Sequence, residues 1–183
     1  MILLDTNVIS EPWKPVPDGA VVAWLDAQAI ETLFVSAITI AELRFGIAAM
    51  PTGKRQTILR DRLEDEVLPH FAERILPFDL AASQFYSELM ARARVSGKAI
   101  SKADGYIAAT AVANGLAVAT RDTGPFEAAG LKVINPRLPQ NHVILGAVGS
   151  TPIKTTARPQ VRQRVTARLV KGDQWGTMAR AFA

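Results

Sequence analysis

The 183-residue chain, with 49% hydrophobic and 21% charged residues, is long enough for one globular domain, and no apolar run approaches the roughly 20 residues that a membrane span needs. The absence of cysteine excludes disulfides, thiolate zinc sites and cysteine nucleophiles, and with no signal-peptide pattern at the N-terminus we expect a cytoplasmic protein that enters no membrane. The net charge is +4, but residues 1–140 carry 14 Lys and Arg against 16 Asp and Glu, so the basic character belongs to residues 141–183.

Short apolar strands alternate with helices over the first 138 residues. The predicted strands are residues 1–4, 33–35, 74–76, 116–119 and 132–134. Five helices are predicted between them, each with a capping or small residue at its start: Asp18, Ser36, Gly53, Asp79 and Ser101. Gly97 and Gly115 stand where two of these helices are expected to end.

This alternation predicts an α/β fold with a mainly parallel sheet of four to five strands, flanked by helices on both faces. In such sheets, sites lie beyond the carboxyl ends of the strands. Asp5 follows the first predicted strand and Asp122 follows the fourth, so both occupy positions of this kind. The order of elements therefore indicates a site at one edge of the sheet.

The pattern decays beyond Pro139, where threonine, proline, arginine and valine mix without a clear period. We predict a domain over residues 1–138 and a basic C-terminal extension of irregular structure over residues 139–183. The extension could bind RNA phosphates or be a disordered segment without a role. We assign no site to it.

Four acidic residues are the candidates for the chemistry of the chain: Asp5, Glu42, Asp104 and Asp122. Carboxylates that are brought together repel each other and are costly to desolvate, so such a cluster persists only if a cation neutralises it or the acids share protons. Neither histidine, His70 or His142, falls beside the four acids. Oxygen ligands alone favour Mg²⁺ or Mn²⁺.

Each acid also has a purely structural interpretation. Asp5 could cap a helix, Glu42 could be a solvated helical residue, and Asp104 could be a first-turn acid favoured by the helix dipole. Asp122 could be a turn residue. Their joint occurrence near strand ends is what favours one common site.

Four segments resemble the acidic motifs of PIN-domain ribonucleases. They read LLDTN at residues 3–7, SAITIAELRFG at 36–46, ADGYIAATA at 103–111 and ATRD at 119–122. Within that family the chain is most similar to the VapC toxins of type II toxin–antitoxin pairs, in the FitB-like branch. The resemblance covers residues 1 to about 138, and it implies a PIN-like three-layer sandwich.

The resemblance also implies roles for individual residues. The core metal ligands would be Asp5, Glu42 and Asp104, with Asp122 as a fourth acid that holds metal directly or through water. Three polar residues would orient the carboxylates or metal-bound waters: Thr6, Asn7 and Thr120. Two arginines would contact phosphate or pair with the acids: Arg44 and Arg121.

A chain of this family is expected to be a Mg²⁺-dependent endoribonuclease, with Mn²⁺ as the alternative ion, that cuts RNA phosphodiesters with a metal-activated water. It is expected to form a homodimer, to be silenced by a cognate antitoxin protein, and to reach operator DNA through that antitoxin. The alternative is a catalytically inactive PIN-fold module that acts in an antitoxin–operator complex. A DNA-directed, structure-specific nuclease is a third option. The RNA target, the antitoxin and the number of metals are not specified by the sequence.

One further motif is set aside. Residues 122–124 spell the Asp-Thr-Gly triplet of aspartic proteases, which pair two aspartates across an all-β structure. The helical periodicity of this chain contradicts such a fold.

Overall fold

In the computed structural model of the protein, residues 1–138 are described, together with the backbone of a strand at Val143–Leu145. The strands form one sheet: β1 (Ile2–Leu4), β2 (Leu33–Ser36), β3 (Ile75–Leu76), β4 (Ala117–Ala119), β5 (Lys132–Ile134) and β6 (Val143–Leu145). Their order is β3-β2-β1-β4-β5-β6. The first five strands are parallel, and β6 pairs antiparallel to β5.

Eight α-helices lie in the described part of the chain: α1 (Thr6–Ile9), α2 (Gly19–Asp26), α3 (Ala37–Ala48), α4 (Lys54–Asp61), α5 (Leu68–His70), α6 (Leu80–Val95), α7 (Lys102–Ala113) and α8 (Thr123–Ala128). Short 3₁₀ turns occupy Glu11–Trp13 and Ile30–Thr32, and a π-helical segment, Arg62–Val67, joins α4 to α5.

The helix boundaries follow from side-chain caps. The Asp18, Ser36, Asp79 and Ser101 side chains each accept a hydrogen bond from a backbone N–H in the first turn of the helix that follows. Gly97 (φ 66°) and Gly115 (φ 64°) adopt the left-handed backbone conformation just past α6 and α7, which glycine tolerates without a steric cost. These caps and stops confirm the predicted starts and ends.

Two hydrophobic clusters cover the two faces of the sheet. Leu4 and Ala119 point into one cluster with Val8, Trp24 and Phe71, whereas their strand neighbours Leu3 and Val118 point into the other, with Leu89, Ile107 and Phe126. Successive residues of these strands thus point to opposite faces of the sheet, and both faces are buried. The predicted three-layer α/β architecture is confirmed.

The sheet has one strand more than predicted. β6 lies within residues 139–183, which were expected to be irregular, and it extends the sheet by an antiparallel edge. The other residues of that extension, His142 included, lie outside the described residues, so the domain boundary at 138 stays a prediction. No helix of the described chain is long and apolar enough to cross a membrane.

Strand register brings the predicted site residues to one level. Leu4 pairs with Val35 on one side and with Ala119 on the other. The residues that follow these three, Asp5, Ser36 and Thr120, therefore stand side by side at the carboxyl edge of the sheet. All three are buried.

Candidate metal centre

Asp5 lies at the centre of the carboxyl edge. Its backbone N–H donates to the Ala119 carbonyl (3.0 Å), which continues the β1–β4 ladder by one residue. Its carboxylate accepts from the Thr6 N–H through Oδ1 (2.8 Å) and from the Thr120 hydroxyl through Oδ2 (2.7 Å). Only 5% of the residue is exposed. Asp5 is thus both the N-cap of α1 and a buried carboxylate held from two sides.

The pKa of Asp5 is raised from 3.8 to about 6. Burial is the largest cause, because it penalises the ionised form, and the negative charges of Asp104 and Glu42 raise the pKa further. The hydrogen bonds from Thr120 and Thr6 act in the opposite direction. Asp104 and Glu42 are therefore near enough to Asp5 for their charges to matter.

Each of these three acids accepts a hydrogen bond from a hydroxyl group. Thr120 donates to Asp5, Thr6 Oγ1 donates to Glu42 Oε2, and Ser101 Oγ donates to Asp104 Oδ2 (2.7 Å). Thr6 thus joins the acid after β1 to the acid on α3, because its backbone N–H binds Asp5 and its hydroxyl binds Glu42. Ser101 was predicted only as a helix cap. Its hydrogen bond to the Asp104 carboxylate depends on the Asp104 rotamer.

The segment after β4 is organised around the Thr120 hydroxyl. Thr120 Oγ1 accepts from Asn7 Nδ2 (2.9 Å) and from the Asp122 N–H (3.1 Å) while it donates to Asp5. Asn7 Oδ1 in turn accepts the Arg121 N–H (3.0 Å). Asn7 and Thr120 therefore lie where they orient the segment that carries Asp122.

Asp122 stands apart from the other three acids. It is exposed and lies at the start of α8, but its side chain forms no capping hydrogen bond. It is also not among the charges that raise the pKa of Asp5. The structure thus brings Asp5, Glu42 and Asp104 into electrostatic contact and leaves Asp122 at the rim.

The two predicted arginines pair with carboxylates outside this group of acids. Arg44 makes a two-pronged contact with Glu64 at the surface (2.8 and 2.7 Å). Arg121 Nη1 lies 2.8 Å from Glu11 Oε2. Within the described residues, neither arginine pairs with the four predicted acids, because in each case another carboxylate is within reach. The alternative role, contact with phosphate, stays a prediction.

Glu11 is the residue that the sequence analysis missed. It is only 2% exposed, and its carboxylate receives Lys14 Nζ (2.7 Å), the Asp18 N–H (3.0 Å) and Arg121. Burial alone would raise the pKa of Glu11, but these hydrogen bonds and the charges of Arg121 and Lys14 outweigh burial and lower the pKa. Glu11 therefore fastens the segment after β4 to the segment before α2. A glutamate between apolar and proline residues, at positions 8–17, was the available signal.

We expect Glu11→Gln to destabilise the protein by about 3 kcal/mol, because it leaves the Arg121 guanidinium, 20% exposed, without its buried counter-charge. Urea denaturation at neutral pH measures this loss. Glu31→Gln, at an exposed glutamate, is the matched control and should change stability by less than about 0.5 kcal/mol. Equal stability of the two variants would contradict the role given to Glu11.

The donor set fits a hard divalent cation in chemistry and charge. The groups around Asp5 are carboxylate, hydroxyl and amide oxygens, and the pKa of Asp5 is raised by burial first and then by the charges of Asp104 and Glu42, both of which a bound cation would offset. In the described residues, however, no three His, Cys, Asp or Glu side chains are gathered closely enough to hold a metal ion. The hydroxyl partners of Glu42 and Asp104 hold these carboxylates in their present positions. Binding a cation would therefore require these side chains to move closer together.

A parallel α/β sheet with buried and partly buried acids at its carboxyl edge defines a class of domain. The PIN domain family matches residues 2–131, and the chain belongs to this family.

Individual relatives show which PIN-domain proteins this chain resembles. The chain is 72% identical to the VapC ribonuclease Y4jK of Sinorhizobium fredii over 136 residues, which covers 74% of this chain and 97% of that protein. It is 55% identical to the toxin FitB of Neisseria gonorrhoeae, over 74% of this chain and 98% of FitB. The solved structure of FitAB bound to the IR36 DNA fragment matches with a TM-score of 0.75 and 52% identity, covering 78% of this chain and 100% of that one. The chain is thus similar to VapC and FitB toxins, and its structural neighbours are toxin–antitoxin complexes.

Proposed function

We propose that this chain is a divalent-metal-dependent endoribonuclease and the toxin of a toxin–antitoxin pair. One observation carries the metal dependence: a buried carboxylate, Asp5, lies near enough to Glu42 and Asp104 for their charges to raise its pKa. Such a concentration of negative charge is costly unless a cation offsets it. The ribonuclease activity named for a relative with 72% identity supports RNA as the substrate.

The position of each residue suggests its role in binding the cation. Asp5, fixed by Thr6 and Thr120, would hold Mg²⁺ (or Mn²⁺) at the base of the site, with Glu42 and Asp104 as further ligands and Asp122 at the rim. When bound, the cation makes a water nucleophilic near neutral pH and offsets charge on the phosphate. Thr120 and Asn7 would keep the Asp122 segment beside Asp5.

RNA cleavage by the purified chain tests this proposal. Cleavage of a single-stranded RNA should occur with Mg²⁺ or Mn²⁺ and stop when EDTA is added, because the proposed reaction needs the cation to activate the attacking water. Cleavage that persists in EDTA would contradict the metal requirement. A protein that binds its antitoxin but cleaves no RNA with either ion would favour the inactive regulatory module instead.

We also propose an antitoxin as partner and place it in a cleft of about 730 Å³ between residues 12–17 and α4. Apolar side chains such as Trp13, Ile58 and Leu59 line this cleft, and Lys54 and Arg55 stand among its lining residues. This combination suits an apolar partner segment flanked by acidic residues.

Lys54→Glu together with Arg55→Glu should weaken antitoxin binding by about tenfold or more, because it replaces two positive charges at the cleft with negative ones. Calorimetry measures the affinity. An unchanged affinity would show that the antitoxin does not dock in this cleft. Homodimer formation, and operator binding through the antitoxin, stay predictions.

A further inference from the structure

The turn between α6 and α7 carries a concentration of positive charge. From Leu89 to Ala103 the sequence contains no acidic residue and four basic ones: Arg92, Arg94, Lys98 and Lys102. All four residues are exposed. Within residues 1–138, none of these four side chains forms an ion pair or a hydrogen bond, whereas Arg44, Arg121 and Arg137 each pair with a carboxylate.

Backbone contacts hold this turn beside the acidic site. The Lys98 N–H donates to the Ala93 carbonyl (2.9 Å), which keeps Lys98 against the last turn of α6. Ser101 then caps α7, and Lys102 is the first residue of that helix. Asp104 lies in the same first turn, where its carboxylate accepts the Ser101 hydroxyl. The positive turn therefore leads directly into the first turn of α7, which carries one of the candidate metal ligands.

Within residues 1–138, no contact favours a basic residue at position 102. The N-terminus of a helix carries a partial positive charge, so a cation there is disfavoured and an anion is favoured. Arg92 and Arg94, by contrast, lie in the last turn of α6, where a cation is stabilised. A lysine that costs stability and contacts no carboxylate in the described structure points to a ligand with negative charge.

An RNA strand needs such cations near this site. Its phosphates would be repelled by the carboxylates of Asp5, Glu42 and Asp104 before any cleavage could occur. Basic side chains beside a site of negative charge offset this repulsion and speed the approach of the substrate. Phosphate contacts of this kind position the strand without reading its sequence.

We propose that Lys98 and Lys102 bind backbone phosphates of single-stranded RNA next to the acidic site, with Arg92 and Arg94 adding to the attraction. The proposal rests on the ribonuclease activity proposed above, for which it names the surface that takes the substrate backbone. It assigns this surface to the α6–α7 turn and not to the C-terminal extension.

The test compares two double variants that each remove two positive charges. Lys98→Gln with Lys102→Gln alters the turn. Arg60→Gln with Lys132→Gln is the control, because exposed Arg60 lies on α4 outside the proposed cleft and Lys132 lies at the start of β5, at the opposite edge of the sheet. Affinity for a fluorescent 16-nucleotide RNA, a probe length of about one binding site, is measured in EDTA over a range of salt concentrations. Thermal unfolding checks that both variants fold as the wild type does.

The turn variant should bind the RNA roughly 10- to 30-fold more weakly at 0.1 M salt, and its slope of log affinity against log salt should be about 1.4 smaller, from roughly 0.7 per lost contact. The control should stay within about threefold of the wild type. With Mg²⁺ present, the turn variant should raise KM with kcat nearly unchanged. Equal losses in both variants, or an unchanged KM in the turn variant, would overturn the proposal. If the wild type cleaves no RNA, the proposed ribonuclease activity is refuted, whatever the binding result.

Discussion

Asp104→Asn should lower kcat/KM for RNA cleavage by at least about a thousandfold with little change in stability. The asparagine side chain still offers an oxygen to the Ser101 hydroxyl, so the cap of α7 survives. What is lost is a negative charge beside Asp5. A cation contributes several kcal/mol to such a reaction, and about 4 kcal/mol corresponds to a thousandfold.

The measurement is steady-state cleavage in saturating Mg²⁺, with thermal unfolding recorded in parallel. Asp65→Asn, at an exposed aspartate of the π-helical segment, removes the same charge from the surface and should keep full activity. If Asp104→Asn keeps cleavage within tenfold of the wild type, Asp104 is not a ligand. If both variants lose activity alike, the effect is one of net charge.

Asp5→Asn should stabilise the metal-free protein at neutral pH and not at pH 4. The folded protein raises the pKa of Asp5 from 3.8 to about 6, so the folded state binds a proton that the unfolded state has already released. Stability therefore falls as the pH rises between these two values and stays low above them. A shift of about two pKa units corresponds to a cost of at most about 3 kcal/mol near pH 7.5.

The Asp5→Asn variant lacks this destabilisation because its amide does not ionise. It can still accept the Thr6 N–H, and the Thr120 hydroxyl can turn toward the Asp122 carbonyl, 3.3 Å away. Urea denaturation in EDTA at pH 4 and pH 7.5 should show the stability of the variant, relative to the wild type, rising by about 2 to 3 kcal/mol between the two pH values. A relative stability that does not change with pH would show that Asp5 titrates normally. Asp65→Asn serves as the control.

Local signals were sufficient for much of the fold. Asp18, Ser36, Asp79 and Ser101 cap helices through contacts within three residues, and short-range chemistry of this kind can be inferred from neighbouring residues. The parallel sheet followed from the alternation of strands and helices. β6 escaped prediction because the residues around it include glycines and lack a strand period.

Partnerships between distant residues were harder to foresee. Thr120 and Asp5 are 115 positions apart and meet through strand register, whereas Arg44 and Glu64 are 20 apart and meet through helix packing and rotamers. The family motifs suggested that Arg44 and Arg121 would contact phosphate or pair with the acids. The three-dimensional structure instead supplies Glu64 and Glu11 as nearer partners.

Titration of the metal-free protein with Mn²⁺, with free Mn²⁺ followed by electron paramagnetic resonance, tests the central claim most directly. At pH 7.5 the wild type should bind at least one Mn²⁺ per chain, and its affinity should fall as the pH drops below about 6, where Asp5 takes up a proton. Asp5→Asn and Asp104→Asn should each lose this binding, while Asp65→Asn should keep it. Binding that is absent in the wild type, or that survives both substitutions, would contradict a metal site built on these acids.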